Sequence, residues 1–244
     1  MADGVVRVLG LDPGSTTFGT AVMDIQLSRK KPTVIATETI DATKLFKPSE
    51  NKAFIGARGV RDLRIFLIRR ELKRIFLTHK PDVVIAEAPF LKRRNVSAFE
   101  ALVEVRCMIR DLMWELDNTK TVIFVDPIRV KNYIGVSHIG TDKSDMYKAV
   151  HAYYDNKQKR KALVTADEHS IDAVAVCHVY YRREVLGDVV ESTKKKRGRH
   201  AGKRAPKRTP RPKSDRRSGG LRSDRNGGST PRRTTPTSNN RKGA

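Results

Sequence analysis

Two cysteines in 244 residues are too few for a disulfide scaffold. Cys107 and Cys177 both fall in apolar, helix-like contexts, so buried, reduced thiols in a reducing compartment are expected. No run approaches the roughly 20 consecutive apolar residues of a membrane-spanning helix, and no membrane association is expected. The opening MADGVVRVLG lacks a basic stretch followed by an apolar core and a cleavage site. The expected location is therefore the cytoplasm, of a cell or a host, in association with the nucleoid, and not the secreted fraction. Aromatic residues are scarce at 6%, and acids are outnumbered: 27 Asp+Glu stand against 50 Lys+Arg, a net charge of +23.

The excess charge is unevenly spread. Residues 191–244 hold 19 basic and 3 acidic residues, a net of +16, which leaves +7 for residues 1–190. This excludes a uniformly basic, histone-like body. The terminal stretch has no aromatic residue and a single large aliphatic, Leu221, together with 5 of the 11 prolines and 7 of the 16 glycines. Such a composition cannot bury enough apolar surface to offset its ordering entropy, so a disordered polybasic tail is expected. It would bind nucleic acid without sequence preference through counterion release, and tethering would raise the local DNA concentration for the rest of the chain. In a eukaryotic host, a localisation signal is the competing reading of the same residues.

Residues 1–190 alternate strand and helix signals and read as one domain. Val5–Asp12, Phe18–Asp24 and Thr33–Ile40 are short, closely spaced and suited to antiparallel pairing. Residues 60–77 carry apolar side chains at helical spacing. Asp82–Ala86 is a continuous apolar run suited to a strand buried on both faces. A second amphipathic helix spans 96–116, and Thr121–Val125 is a fifth strand closed by Asp126-Pro127. Helices near 143–154 and 167–186 complete the domain. Three meandering strands followed by crossovers predict an α/β fold: a five-stranded mixed sheet with helices on both faces. The arginines and lysines of the first long helix (Arg61, Arg64, Arg69, Arg70, Lys73 and Arg74) read as a solvated face.

The chemistry begins with acids at strand ends. Asp12 closes the first strand and Pro13-Gly14 turns the chain; Glu87 closes the fourth and Pro89 follows. Functional groups in open sheets gather beyond strand ends near the switch in strand order. A carboxylate left there after an apolar strand is partly buried and needs compensation, which a hard divalent cation with oxygen ligands supplies. Alone, Asp12 is better read as a turn cap and Glu87 as an exposed acid. Two such acids on strands that could be neighbours favour a metal site. The last helix adds Asp172, which interrupts the apolar stretch IDAVAVCHV, and His169, three residues earlier on the same face. An acid inside a helical core stretch needs a partner. Asp167 and Glu168 suit the helix dipole, a structural role.

Four segments together resemble the RuvC-type Holliday-junction resolvases of the RNase H-like superfamily. LGLDPGSTTFGTAVMD is similar to their opening strand-turn-strand with its catalytic aspartate, at Asp12. KPDVVIAEAPFLKRRNVSAFEALVEVR is similar to their glutamate motif, at Glu87, with Phe90 at the position of an aromatic that contacts bases at the junction. VDPIRVKNYIGVSHIGTDKSDMYKAV resembles the segment with two functional lysines, at Lys131 and Lys143. HSIDAVAVCHV resembles the final acidic helix, at His169 and Asp172. The resemblance covers about residues 5–185.

This resemblance implies an RNase H-like fold and a homodimeric endonuclease that cuts branched DNA, four-way junctions in particular, with no nucleotide cofactor. Two Mg²⁺ ions are implied, with Mn²⁺ as a substitute; Asp12 would bridge them, Glu87 and Asp172 would complete the two sites, and His169 would ligate one or position the water. Lys131 and Lys143 would neutralise phosphate charge. Phe90, flanked by Lys92, Arg93 and Arg94 as DNA contacts, would stack on an unpaired base, or else cap the sheet as a core side chain. The longer segment Asp41–Gly59, Pro89, the basic run 92–94 and the basic tail depart from the bacterial pattern and suggest a viral or divergent member. Three other readings compete: a broader flap nuclease, a non-catalytic DNA-binding protein whose acids are structural, and the phosphate motif of actin-like ATPases, suggested by DPGSTT. The last lacks its second phosphate loop and its adenosine motif.

Overall fold

The computed structural model describes residues 4–28, 31–91, 95–137, 143–154 and 161–188. Lys92, Arg93, Arg94 and the predicted tail lie outside them, as does the side chain of Lys143. The described residues all fall within one compact unit, Met1–Lys194.

Five strands form one sheet: β1 (Val5–Asp12), β2 (Thr17–Gln26), β3 (Thr33–Asp41), β4 (Val83–Glu87) and β5 (Val122–Val125), in the order β3-β2-β1-β4-β5. β1 pairs antiparallel with β2, and β2 with β3; β1 with β4 and β4 with β5 are parallel. The sheet is thus the predicted mixed one. The close spacing of the first three strands permits tight antiparallel turns, whereas the parallel neighbours require crossovers.

The helices are α1 (Ala42–Leu45), α2 (Lys52–His79), α3 (Val96–Leu116), α4 (Pro127–Ile134), α5 (Lys143–Tyr154), α6 (Lys161–Val164) and α7 (Glu168–Tyr180), followed by a π-helical turn at Tyr181–Val185. None of the described helices is long and apolar enough to cross a membrane. They lie on both faces of the sheet, as the period-2 alternation of the strands requires. Leu9 and Leu11 of β1 join Ile68, Leu72 and Ile75 of α2 and Val105, Ile109 and Leu112 of α3 in one core. Val8 of β1 and Ile85 of β4 face the other way, into a core built from Val130 of α4, Val150 of α5 and nearly the whole of α7. Parity therefore decides where the acids point. Asp12 shares a face with Val8, and Glu87 with Ile85, so both strands end in an acid on the α7 side.

α7 is apolar almost all round, with Ile171, Ala173, Val174, Ala175, Val176, Cys177 and Val179 buried, as expected of a helix enclosed by neighbours. It lies close to the sheet because β1 and β2 present glycines beneath it. A Cβ on Gly10 would meet the Ala173 carbonyl oxygen at 2.4 Å, and one on Gly19 would meet the His169 carbonyl oxygen at 2.0 Å. At its far end the His178 ring is buried and hydrogen-bonded to the Tyr154 hydroxyl at 2.6 Å; burial pushes its pKa down to about 4, so it is a neutral core residue.

Two sequence expectations are corrected. The segment after β5, read only as the close of a strand, starts α4: Asp126 caps it by accepting from the Ile128 N–H at 2.8 Å, with Pro127 in the first turn. Cys107 is exposed, not buried, because on α3 it lies beside the stripe formed by Val105, Met108, Ile109 and Leu112 rather than within it. Cys177 is fully buried, and burial raises its pKa to about 12. A thiol reagent should therefore label one site, Cys107, in the native protein and reach Cys177 only on unfolding; peptide mapping after labelling checks this.

The basic face of α2 is more ordered than a solvated charge run. Arg61 pairs with Glu104 at 3.2 Å, Lys73 with Glu115 at 2.8 Å and Arg74 with Glu71 at 2.9 Å, fastening α2 to α3 and to itself. Exposed pairs of this kind contribute at most about 1 kcal/mol each.

Candidate active site

The sheet register brings the first two acids together. The last rung between β1 and β4 is Leu11–Ala86, and Asp12 and Glu87 each stand one residue beyond it. α7 then presents its N-terminal turn to the same place. The Asp167 carboxylate caps α7, accepting from the Ser170 N–H at 3.0 Å, and also accepts from the Thr39 hydroxyl of β3. The helix start is thus fixed to the sheet edge, and His169 and Asp172, on one helix face, turn toward Asp12.

His169 makes the direct contact. Its Nδ1 lies 3.1 Å from Oδ2 of Asp12, and its Nε2 lies 2.9 Å from the Thr17 hydroxyl. An ionised carboxylate only accepts, so Nδ1 carries the proton and the Thr17 hydroxyl donates to Nε2 of the neutral ring. The hydrogen bond and the charge of Asp12 raise the ring's pKa above its ordinary value, toward the charged form.

The acids repel one another. Burial, then the charges of Asp12 and Asp172, push Glu87 from 4.5 up to about 8. Burial, then Asp12 and Glu168, push Asp172 from 3.8 up to about 7. The Lys131 ammonium on α4 and, for Asp172, His169 oppose these shifts without cancelling them. The protein thus gathers partly buried acids that hold their protons toward neutral pH because its own cations do not offset their charge, and a bound cation would favour their ionised forms. Among the described residues no three His, Cys, Asp or Glu side chains are grouped closely enough to hold a metal ion as they stand.

The sign of the pH dependence follows. Each acid has a folded-state pKa above its unfolded value, so the folded state binds more protons between the two values. Its stability is greatest below about pH 4.5 with respect to these groups and is lost as pH rises through about 7 to 8. The metal-free protein should lose thermal stability from pH 5 to 8, and millimolar Mg²⁺ should restore it most at the upper end. Glu87→Gln should flatten the metal-free curve; Tm against pH, in chelator and in Mg²⁺, tests both.

The structure thus brings Asp12, Glu87, His169, Asp172 and Lys131 together. Phe90, 51% exposed, is not a core side chain; with Pro13, Glu87, Pro89 and Leu102 it lines a cavity of about 190 Å³ beside the acids. Lys143 opens α5, whose next residue, Ser144, lines a second cavity with Asp172. Sequence reasoning missed Thr17, Gly10 and Gly19. The TT of the first turn and the glycines of the first two strands were visible, but nothing in a single chain marks them as helix contacts.

The sheet order and the acids at its strand ends define the class: an α/β domain of the RNase H-like fold. Within that class, the chain is related in sequence to the RuvC-type resolvases and shares their fold. It is 26% identical over 193 residues to the crossover junction endodeoxyribonuclease RuvC of Syntrophomonas wolfei, covering 79% of this chain and 98% of that protein. The corresponding figures for RuvC of Caldanaerobacter subterraneus are 25% over 175 residues, 72% and 93%. Among solved structures, Thermus thermophilus RuvC in complex with a Holliday junction substrate superposes with a TM-score of 0.54 at 17% identity, covering 75% of this chain and 97% of that one. The yeast mitochondrial Holliday junction resolvase gives 0.51 at 13% identity, covering 72% and 78%. No protein-family model matches.

Proposed function

We propose that this protein is a crossover-junction endodeoxyribonuclease, a metal-dependent phosphodiester hydrolase acting on branched DNA and above all on four-way junctions. The observation that carries the reading is the approach of three acids from β1, β4 and α7 to one partly buried, under-neutralised region, in a chain similar over 193 residues to a junction endonuclease. Asp12, Glu87 and Asp172, with His169 at the edge, would hold two Mg²⁺ ions, which supply an activated water and offset the charge that builds on the phosphate. Mn²⁺, also an oxygen-ligand ion, is expected to substitute.

The chain's own groups have separable tasks. Thr17 and Asp12 orient the His169 ring from both nitrogens, so that the imidazole can hold or accept a proton without rotating. Lys131 and Lys143 meet phosphate charge. Phe90 stacks on an unpaired base, a contact worth roughly 1–3 kcal/mol. Lys92, Arg93, Arg94 and the basic tail add attraction that falls with salt. A homodimer would match the symmetry of a junction that needs two cuts.

The test is a substrate series. Synthetic four-way junctions, flaps and linear duplexes are incubated with Mg²⁺ and with chelator. Paired symmetric nicks in the four-way junction, abolished by chelator, are the expected result. Preferential flap cutting would move the reading to a broader branched-DNA nuclease, and failure to nick any branched substrate would remove it.

A further inference from the structure

The cavity beside Asp172 has no task in the reading above. It measures about 220 Å³ and lies between α5 and the start of α7. It shares no lining residue with the Phe90 cavity. Its walls divide by chemistry. Met146, Ala166 and Ile171 are apolar, Asp167, Glu168 and Asp172 are acidic, and Tyr147 stands among them. Met146 is buried in the core, whereas Tyr147, one residue on, is 45% exposed. The Tyr147 ring already packs, tilted, on the next helical turn: its centroid is 4.1 Å from that of His151, with 31° between the planes.

We propose that Tyr147 forms a stacking platform for a base of the strand being cut, next to the scissile phosphate. The proposal rests on the acid cluster being the cutting site. A phosphate held at the acids places a neighbouring nucleotide within reach of any hollow that shares Asp172. The acidic wall repels a second phosphate, so the neutral part of the nucleotide enters. The volume suits one base and falls below the roughly 300–1,000 Å³ of pockets for larger ligands. An aromatic ring packed on His151 loses little side-chain freedom on stacking, and base–aromatic stacking tolerates any base. With Phe90 beside Glu87, the strand would then be gripped by an aromatic next to each of two acids.

The full-length chain carrying Asp12→Asn, so that cutting does not intervene, is titrated with a four-way junction holding 2-aminopurine at each of the two positions on either side of the cut. Quenching at one position is expected. Adding Tyr147→Ala or Tyr147→Leu should abolish that quench and weaken binding roughly 5- to 150-fold, while Tyr147→Phe should retain both. Tyr147→Leu keeps the bulk, so it answers for stacking even if Tyr147→Ala fails to fold. Unchanged quenching and affinity in Tyr147→Leu would overturn the proposal. Active wild type that cuts junctions while no probe position is quenched overturns this proposal alone. Wild type that cuts no branched substrate yet shows a quench lost in Tyr147→Leu overturns the nuclease reading and keeps Tyr147 as a base-stacking site.

Discussion

Asp12→Asn should lower the rate of junction cleavage by on the order of 10³-fold, the scale seen when one preorganised electrostatic group is removed from an active site, while junction affinity in chelator stays within a few-fold. The side chain keeps its shape, so the β1 end and its hydrogen bond to His169 can persist with the amide oxygen as acceptor. What disappears is the negative charge that meets both other acids and His169. Because that charge also raises Glu87 and Asp172, the variant should hold its metal-free Tm better toward pH 8 than wild type. Gel-resolved cleavage under single-turnover conditions, a mobility shift in chelator and a melting curve measure the three effects. Metal-dependent cleavage within tenfold of wild type would take Asp12 out of the site. A non-catalytic DNA-binding protein would show no cleavage in either form.

Gly19→Ala should be nearly as damaging although it alters no acid. Gly19 pairs with Asp12 across β1 and β2. The added Cβ would lie 2.0 Å from the carbonyl oxygen of His169 and 2.4 Å from its carbonyl carbon, both backbone atoms. No rotamer change relieves that overlap, so α7 must rise from the sheet and carry His169 and Asp172 with it. Overpacking of this kind costs about 1–3 kcal/mol, or roughly 2–12 °C of Tm at this size. A displacement near 1 Å at reacting groups costs about 10²-fold in rate. Gly56→Ala is the control: nothing lies within 4 Å of its Cβ, so stability should hold or rise slightly. If Gly19→Ala melts and cuts like wild type, α7 does not set the geometry of the site.

Much of this was legible in the chain because local chemistry and global fold agree. An apolar run that ends in Asp12 before Pro-Gly, or in Glu87 before Pro89, marks a strand end and an acid at once. Asp172 stands out as a lone acid in an apolar helix. The five strands and the helix at 96–116 were visible for the same reason: their side-chain periods of 2 and 3.6 are written into consecutive residues. The start of α4 was also written there, in Asp126-Pro127, but a cap and a strand terminator use the same residues, and the strand reading masked the helix. Cys107 was misjudged because an amphipathic helix buries a stripe, and one position beside that stripe is solvent. His169 was legible from its spacing, three residues before Asp172 on one helix face, but its role came only through resemblance. Thr17 and Gly19 were not legible at all, because each acts through α7, some 150 residues later in the chain, and such distances are closed only by the fold.

The position of α7 also bears on how the protein comes into being. Chains emerge from the ribosome N-terminus first, and domains fold as units. Asp12 and Glu87 are made early, but the helix that fills the core over their sheet face and delivers Asp172 is the last long element of the domain. A nascent or prematurely ended chain stopping before Asp167 has neither a complete core nor a third acid. The site that would cut DNA therefore arises at the same moment as the finished fold, and incomplete copies have neither the fold nor the site.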